Sequence, residues 1–213
     1  MQTVKDSTTG IILAGGSSRR MGQNKALMRL GCATLIEHTL YQMRLVTTNL
    51  LLITNTPSQF GHLGVRMYTD LVPNMGALGG IFTGLTHADN PAVICVACDM
   101  PLLQPRLLSY LTTILGEDDA VVPYVENPDS TGPKFQTLSA VYSKKCLSAI
   151  KQMFAEGELR VHELYNRISV RVVPPSEWRQ FDPHGHSFFN INTPEDFNIV
   201  RRINHSTQEG VEI

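Results

Sequence analysis

Three short apolar runs constrain the fold of this chain more than any other feature. Gly10-Ile-Ile-Leu-Ala-Gly15, Asn49-Leu-Leu-Leu-Ile-Thr54 and Ala92-Val-Ile-Cys-Val-Ala-Cys98 are almost continuous in hydrophobic residues. Runs this short, bounded by turn residues, read as strands buried on both faces. Between the first two, Leu35, Ile36, Leu40, Met43 and Val46 recur at helical spacing. Strands that alternate with helices imply crossover connections, and so an α/β fold with a mostly parallel sheet and helices on both faces.

The alternation continues with a weaker strand at 65–69, a short helix over 80–87 and a helix over 105–115 opened by Pro105. The later half departs from it. Segments 119–125 and 134–142 read as strands joined by the turn-rich residues 127–133, a candidate lid. A helix over 143–154, a short one over 159–165, a strand at 168–173 and a last short strand at 187–191 follow. Thr193 can cap a final helix running from 194 to about 202, with Pro194 in its first turn and Glu195 and Asp196 at the positive end of its dipole. No repeat or low-complexity linker forces a division, so residues 1–204 read as one domain and 205–213 as a frayed tail.

Composition narrows the function. Eighteen basic against nineteen acidic side chains, a net charge of -1, leave no cationic excess to offset a nucleic-acid backbone. The aromatic residues are scattered, with no stacking platform for bases. Residues 1–10 lack the apolar core of a signal peptide, and no apolar run approaches the ~18 residues of a membrane span. The expectation is a cytoplasmic protein that binds neither nucleic acid nor membrane. Cys95 and Cys98 have a spacing seen in zinc and redox sites, but on a strand residues three apart face opposite sides, so they read as core cysteines. His184 and His186 lie in a polar loop with no evident third ligand.

The chemistry concentrates directly after the first strand, in Leu13-Ala-Gly-Gly-Ser-Ser-Arg-Arg-Met-Gly-Gln-Asn-Lys25. Glycines let backbone N–H groups approach an anion closely, and Arg19, Arg20 and Lys25 add cations, as a triphosphate requires. The G-x-G-x-x-G spacing of dinucleotide-binding folds is absent, and Gly22 is followed by Gln23 where a P-loop has Lys. Hydride transfer and P-loop hydrolysis are thereby disfavoured. Asp99 follows a buried strand, where open α/β sheets bind ligands; a carboxylate there either caps the next helix or meets Mg²⁺. Asn55 and Asp70 stand at strand exits, where turn residues are also ordinary.

Four segments resemble the molybdenum cofactor guanylyltransferases, within the wider Rossmann-like nucleotidyltransferases of the nucleotide-diphospho-sugar transferase type. Leu13 to Lys25 matches that family's Leu-Ala-Gly-Gly-x-Ser-x-Arg-Met-Gly-x-Asp-Lys, with Asn24 in place of Asp. Met75-Gly-Ala-Leu-Gly-Gly-Ile81 resembles Gly-Pro-Leu-Gly-Gly-Ile, with Ala77 for proline. Cys98-Asp-Met-Pro101 and Phe189-Asn-Ile-Asn-Thr-Pro-Glu-Asp196 resemble its Cys-Asp-x-Pro and Asn-x-Asn-Thr-Pro-Glu segments, and the likeness spans nearly the whole chain. The resemblance implies transfer of GMP from GTP to molybdenum-bound molybdopterin, with Mg²⁺ as cofactor and transient contact with cofactor-insertion proteins. It implies that Asp99 holds the metal, that Arg20 and Lys25 act on phosphate, and that Leu13, Ala14, Gly15, Gly16, Asn55 and Asp70 hold the nucleotide. It further places Asn190, Asn192 and Arg160, in Gly157-Glu-Leu-Arg-Val161, beside the second substrate, although the asparagines also belong to a helix cap and Arg160 to a solvated face. Rival readings are a CTP-dependent molybdopterin enzyme, a sugar- or lipid-precursor nucleotidyltransferase, and a GTP-binding carrier without turnover.

Overall fold

In the computed structural model, which describes residues 7–15, 24–126 and 132–209 and side chains as far as Ile203, the first apolar run becomes strand β1 (Thr8–Leu13). A small hairpin, β2 (Arg29–Leu30) and β3 (Ala33–Thr34), leads into helix α1 (Leu35–Val46). A capping box fixes that helix start: Thr34 Oγ1 accepts from Glu37 N at 3.4 Å, and the Glu37 carboxylate accepts from Thr34 N at 2.6 Å. Those bonds to Thr34 hold the Glu37 carboxyl below its ordinary range. Then come β4 (Asn49–Ile53), β5 (Arg66–Tyr68), α2 (Gly76–His87), β6 (Ala92–Ala97), α3 (Pro105–Thr113) and β7 (Ala120–Val125). The last elements are β8 (Lys134–Phe135), β9 (Ser139–Ser143), α4 (Cys146–Glu156), β10 (Val170–Val173), α5 (Pro175–Trp178) and α6 (Pro194–Glu209).

The main sheet runs β10-β7-β9-β6-β1-β4-β5, with β8 added on β7. β1 pairs parallel with β4 and β6, as do β4 with β5 and β7 with β10; β9 is antiparallel to both its neighbours. The expected mostly parallel α/β sheet is therefore present. Alternate residues of β1 divide the core, Ile12 packing with Ile36, Met43 and Leu107 on one face, Ile11 and Leu13 with Leu78, Ile81 and Ile150 on the other. Helices α1 and α3 thus cover one face and α2 and α4 the other. Helix α2 lies so close to β1 that a Cβ on Gly84 would stand 2.5 Å from Ile11 Cδ1, and one on Gly80 3.0 Å from Leu13 Cδ2.

Several boundaries differ from the sequence reading. Helix α2 begins at Gly76 rather than 80, because Leu78 and Ile81 in its first turns are buried against the sheet. The strand expected over 134–142 breaks at 136–138, where Ser139 N donates to Gln136 O in a turn. Residues 187–191 are not a strand, although Ser-Phe-Phe-Asn-Ile is a short, largely apolar segment of the kind that forms one. The segment is a 3₁₀ turn (His186–Phe188) and then extended chain outside any ladder. Both edges of β6 are already taken by β1 and β9, so Ile191 N reaches only Asp99 O, at 3.0 Å beyond the strand end. Helix α6 continues to Glu209, past the tail boundary expected at 204, since neither Gly nor Pro interrupts residues 195–209. Cys95 packs on the α2/α4 face and Cys98 on the α1/α3 face, so the two sulfurs diverge as a strand requires. No helix among the described residues is long and apolar enough to cross a membrane.

Candidate active site

The carboxyl ends of β1, β4, β5 and β6 enclose a cleft of about 550 Å³, where an open α/β sheet is expected to bind its ligand. Leu13 and Gly15 line it from β1, Ile53 and Asn55 from β4, Asp70 from β5, and Ala97, Cys98 and Asp99 from β6. Gly76, Ala77 and Gly80 of α2 complete the wall, so this twelve-residue helix enters the cleft by its N-terminus, the end that favours anions. Asn74, just before it, is the one non-glycine residue with positive φ (64°) among the described residues, a conformation that asparagine tolerates.

Asp99 is the most constrained group here. Its Oδ1 is buried without a hydrogen-bond partner, and burial pushes its carboxyl above the ordinary range while the Lys25 ammonium pulls it back down. An acceptor-only oxygen in that state fits a hard cation. Among the described residues no group of three His, Cys, Asp or Glu side chains is placed to hold a metal ion by itself. Neighbouring Cys98 is no thiolate: burial and the Asp99 charge push its thiol up to about 12.

Lys25 opens a 3₁₀ turn capped by Asn24, whose Oδ1 accepts from Ala26 N at 3.2 Å and whose Nδ2 donates to Gln59 Oε1 at 2.7 Å. The amide thus serves as cap and donor together, which an aspartate could not. Lys25 Nζ donates to Ile191 O at 3.2 Å and to Asn192 Oδ1 at 3.1 Å. Lys25, Asp99 and the late asparagine motif, far apart in sequence, are therefore brought together. Asn55 and Asp70 meet as well, Asn55 Nδ2 donating to Asp70 Oδ2 at 2.8 Å and Asp70 N to Asn55 Oδ1 at 3.1 Å.

A second cleft of about 320 Å³ adjoins the first and shares Leu138 and Asn190 with it. Lys134, Gln136, Asn192 and the rings of Phe135, Phe188 and Phe189 line it, giving a cation, amides and aromatic faces. Sequence reasoning missed Lys134, Phe135 and Phe188, which no motif marks, and Phe189, which opens the late asparagine motif without being singled out. The resemblance set Asn190 and Asn192 beside the second substrate; with no strand at 187–191, Asn190 lines both clefts, and Asn192 lines the second and binds Lys25. Two other expected residues stand away from both clefts. Ala14 packs into the core, its N–H donating to Ile53 O at 2.9 Å to extend the ladder. The Arg160 guanidinium is held by Glu158 at 2.7 Å and Glu163 at 3.4 Å on the surface, because the adjacent acidic residues capture it. Gly16, Arg19 and Arg20, and residues 127–131 of the expected lid, lie outside the described residues.

Residues 10–172 match the family model of the MobA-like NTP transferase domain. A molybdenum cofactor guanylyltransferase of Desulfosudis oleivorans is 37% identical over 196 residues, covering 90% of this chain and 93% of that protein. A probable molybdenum cofactor guanylyltransferase of Pelotomaculum thermopropionicum is 33% identical, covering 95% and 96%. Among solved structures, molybdopterin-guanine dinucleotide biosynthesis protein A of Archaeoglobus fulgidus superposes with a TM-score of 0.78 at 25% identity, over 93% of this chain and 99% of that one. The 4-diphosphocytidyl-2C-methyl-D-erythritol synthase of Anaerococcus prevotii shares the fold, with a TM-score of 0.73 at 16% identity over 94% and 97%.

Proposed function

We propose, since this chain belongs to the MobA-like NTP transferase family, that it is a molybdenum cofactor guanylyltransferase, joining GMP from GTP to the terminal phosphate of molybdenum-bound molybdopterin. The observation that best supports this reading is the pairing of two clefts that share Leu138 and Asn190, with Asp99 in the larger. The larger accepts a nucleoside triphosphate, with Asn55, Asp70, Leu13 and Gly15 at the nucleoside and the α2 N-terminus toward the phosphates. The smaller offers a cation and flat aromatic walls to a phosphate-bearing heterocycle. An oxygen of the acceptor phosphate attacks the α-phosphorus of GTP, the bond from that phosphorus to the bridging oxygen breaks, and pyrophosphate leaves. No protein nucleophile is needed, so catalysis rests on positioning and charge stabilisation.

Lys25, with Arg20 of the same loop, neutralises charge that builds on the departing phosphates, and its bonds to Ile191 O and Asn192 Oδ1 tether it to the segment that borders the second cleft. Asp99 would hold Mg²⁺ jointly with nucleotide phosphate oxygens, where the ion supplies charge neutralisation and alignment of the phosphates. The reaction belongs to the cytoplasm, and its product passes to cofactor-insertion proteins through transient contact.

The test is a panel of the four nucleoside triphosphates, each with and without molybdenum-molybdopterin, scored for pyrophosphate. GTP should exceed CTP and ATP in kcat/KM by roughly 10³-fold, because a site that hydrogen-bonds one base leaves buried groups unpaired with another. Comparable use of CTP would mean a cytidylyl enzyme. Binding of GTP without pyrophosphate release would mean a carrier.

A further inference from the structure

Asp182 is only 2% exposed, lies outside both clefts and plays no part in the chemistry above. Its two oxygens accept from successive backbone amides, Oδ1 from His186 N at 3.0 Å and Oδ2 from Ser187 N at 2.7 Å. Ser187, held in this way, is a junction: its Oγ accepts from Gln104 N at 2.8 Å and its carbonyl from Ser139 Oγ at 3.0 Å. One buried carboxylate thereby fastens this loop to the start of α3 and the start of β9. Gly185 closes the turn, with φ at 68° and its N–H donating to Asp182 O at 3.0 Å. A Cβ there would meet the Trp178 ring at 3.3 Å, and that ring also packs edge-on against Phe188 at 4.9 Å.

This anchoring matters because the chain that follows has no ladder to fix it. Phe188, Phe189 and Asn190 form one wall of the second cleft, and they hang between two carboxylates. Asp182 holds 186–187, and Asp196 accepts from Asn192 N and Thr193 N, both at 2.8 Å. An amide cannot replace Asp182, since it offers one acceptor oxygen and would turn an NH₂ donor toward a backbone N–H.

We propose that Asp182 is a positioning residue for the acceptor substrate: by fixing Ser187 it sets the placement of the second-cleft wall relative to Asp99, and so governs acceptor binding while touching neither substrate. This rests on the reading that the smaller cleft takes molybdopterin. The nucleotide cleft is walled chiefly by strand ends and α2, which Asp182 does not touch, and it shares only Leu138 and Asn190 with the second cleft, so loss of Asp182 should weaken acceptor binding far more than GTP binding.

The experiment measures, for full-length wild type and Asp182→Asn, KM and kcat for molybdopterin, Kd for GTP by calorimetry, and hydrogen exchange over residues 186–192. Acceptor KM should rise about tenfold, the scale for losing one hydrogen bond to a buried charge, with GTP Kd within about twofold and exchange faster over 186–192. An unchanged acceptor KM, or GTP affinity falling in parallel, overturns the proposal. Should Asp182→Asn fail to fold, Ser139→Ala, which removes a single donor to the Ser187 carbonyl, decides by the same measurements with an expected rise of about threefold; no rise overturns it. Wild-type protein that releases no pyrophosphate with GTP and molybdopterin overturns the functional reading itself, and this inference with it.

Discussion

Asp99 holds a carboxylate where burial opposes its charge and Lys25 only partly restores it. The sign of the consequence follows from linkage. A carboxyl whose folded value is raised lets the unfolded chain release its proton first, so the fold loses stability as pH climbs from the ordinary carboxylate range through the raised value. Without metal, Asp99→Asn should therefore melt at a higher temperature than wild type at neutral pH, and the gap should close toward about pH 4. Added Mg²⁺ should stabilise the wild type and not the variant, while turnover of the variant collapses. Melting curves between pH 4 and 8, with and without Mg²⁺, check this; a variant no more stable than wild type at pH 7 would mean that Asp99 carries no buried charge. Asp99 and Lys25 were singled out in the sequence because each lies in a motif that begins at or just after the end of a buried strand. The reciprocal Asn55 and Asp70 pair was legible only as two separate strand exits, since β4 and β5 must pair before residues fifteen apart can bond. Lys134 and Phe188 carried no signal, because a lone lysine and a lone ring acquire meaning only when a cleft forms between them.

At the scale of elements, the strands most fully buried were the ones most clearly written. β1, β4 and β6 appear as uninterrupted apolar runs because helices cover both their faces. The misreading at 187–191 has the opposite origin: a short apolar segment becomes a strand only if an edge is available, and β6 has none left. Nor does local pattern reveal that β9 inserts antiparallel between β6 and β7, which depends on pairing across the whole later half of the sheet. The glycines of α2 carry a constraint of the same kind. Gly84 is required by the approach of the helix to β1, since an added Cβ would lie 2.5, 2.8 and 3.2 Å from three atoms of Ile11, a stiff, fully buried side chain. Gly84→Ala should cost about 1–3 kcal/mol through overpacking, lowering Tm by about 2–4 °C per kcal/mol in a chain of this length. Gly15 is the contrast, for a Cβ there meets nothing within 4 Å and borders the nucleotide cleft. Gly15→Ala should keep the wild-type Tm while kcat/KM for GTP falls and the preference over CTP narrows. Paired melts and kinetics of the two variants separate a packing glycine from a ligand-facing one, and equal losses of Tm would refute the distinction.

Across the whole molecule, the sheet places two binding spaces in contact rather than apart. The clefts share Leu138 and Asn190, so on the proposed assignment a nucleotide in one and an acceptor in the other would lie side by side. That geometry decides between direct transfer and transfer through a guanylylated protein. A covalent route needs an activated nucleophile in the larger cleft. The thiol that lines it, Cys98, stays protonated with its value pushed up to about 12, and the Lys25 ammonium is engaged by Ile191 O and Asn192 Oδ1. Among the described residues neither group is thus an activated nucleophile, and direct in-line transfer within a ternary complex is the expected course. Initial rates measured against GTP at several fixed molybdopterin concentrations should give intersecting double-reciprocal lines, and labelled pyrophosphate should not exchange into GTP when the acceptor is absent. Parallel lines together with acceptor-independent exchange would place a guanylyl group on the protein, and the shared wall between the clefts would then need a different explanation.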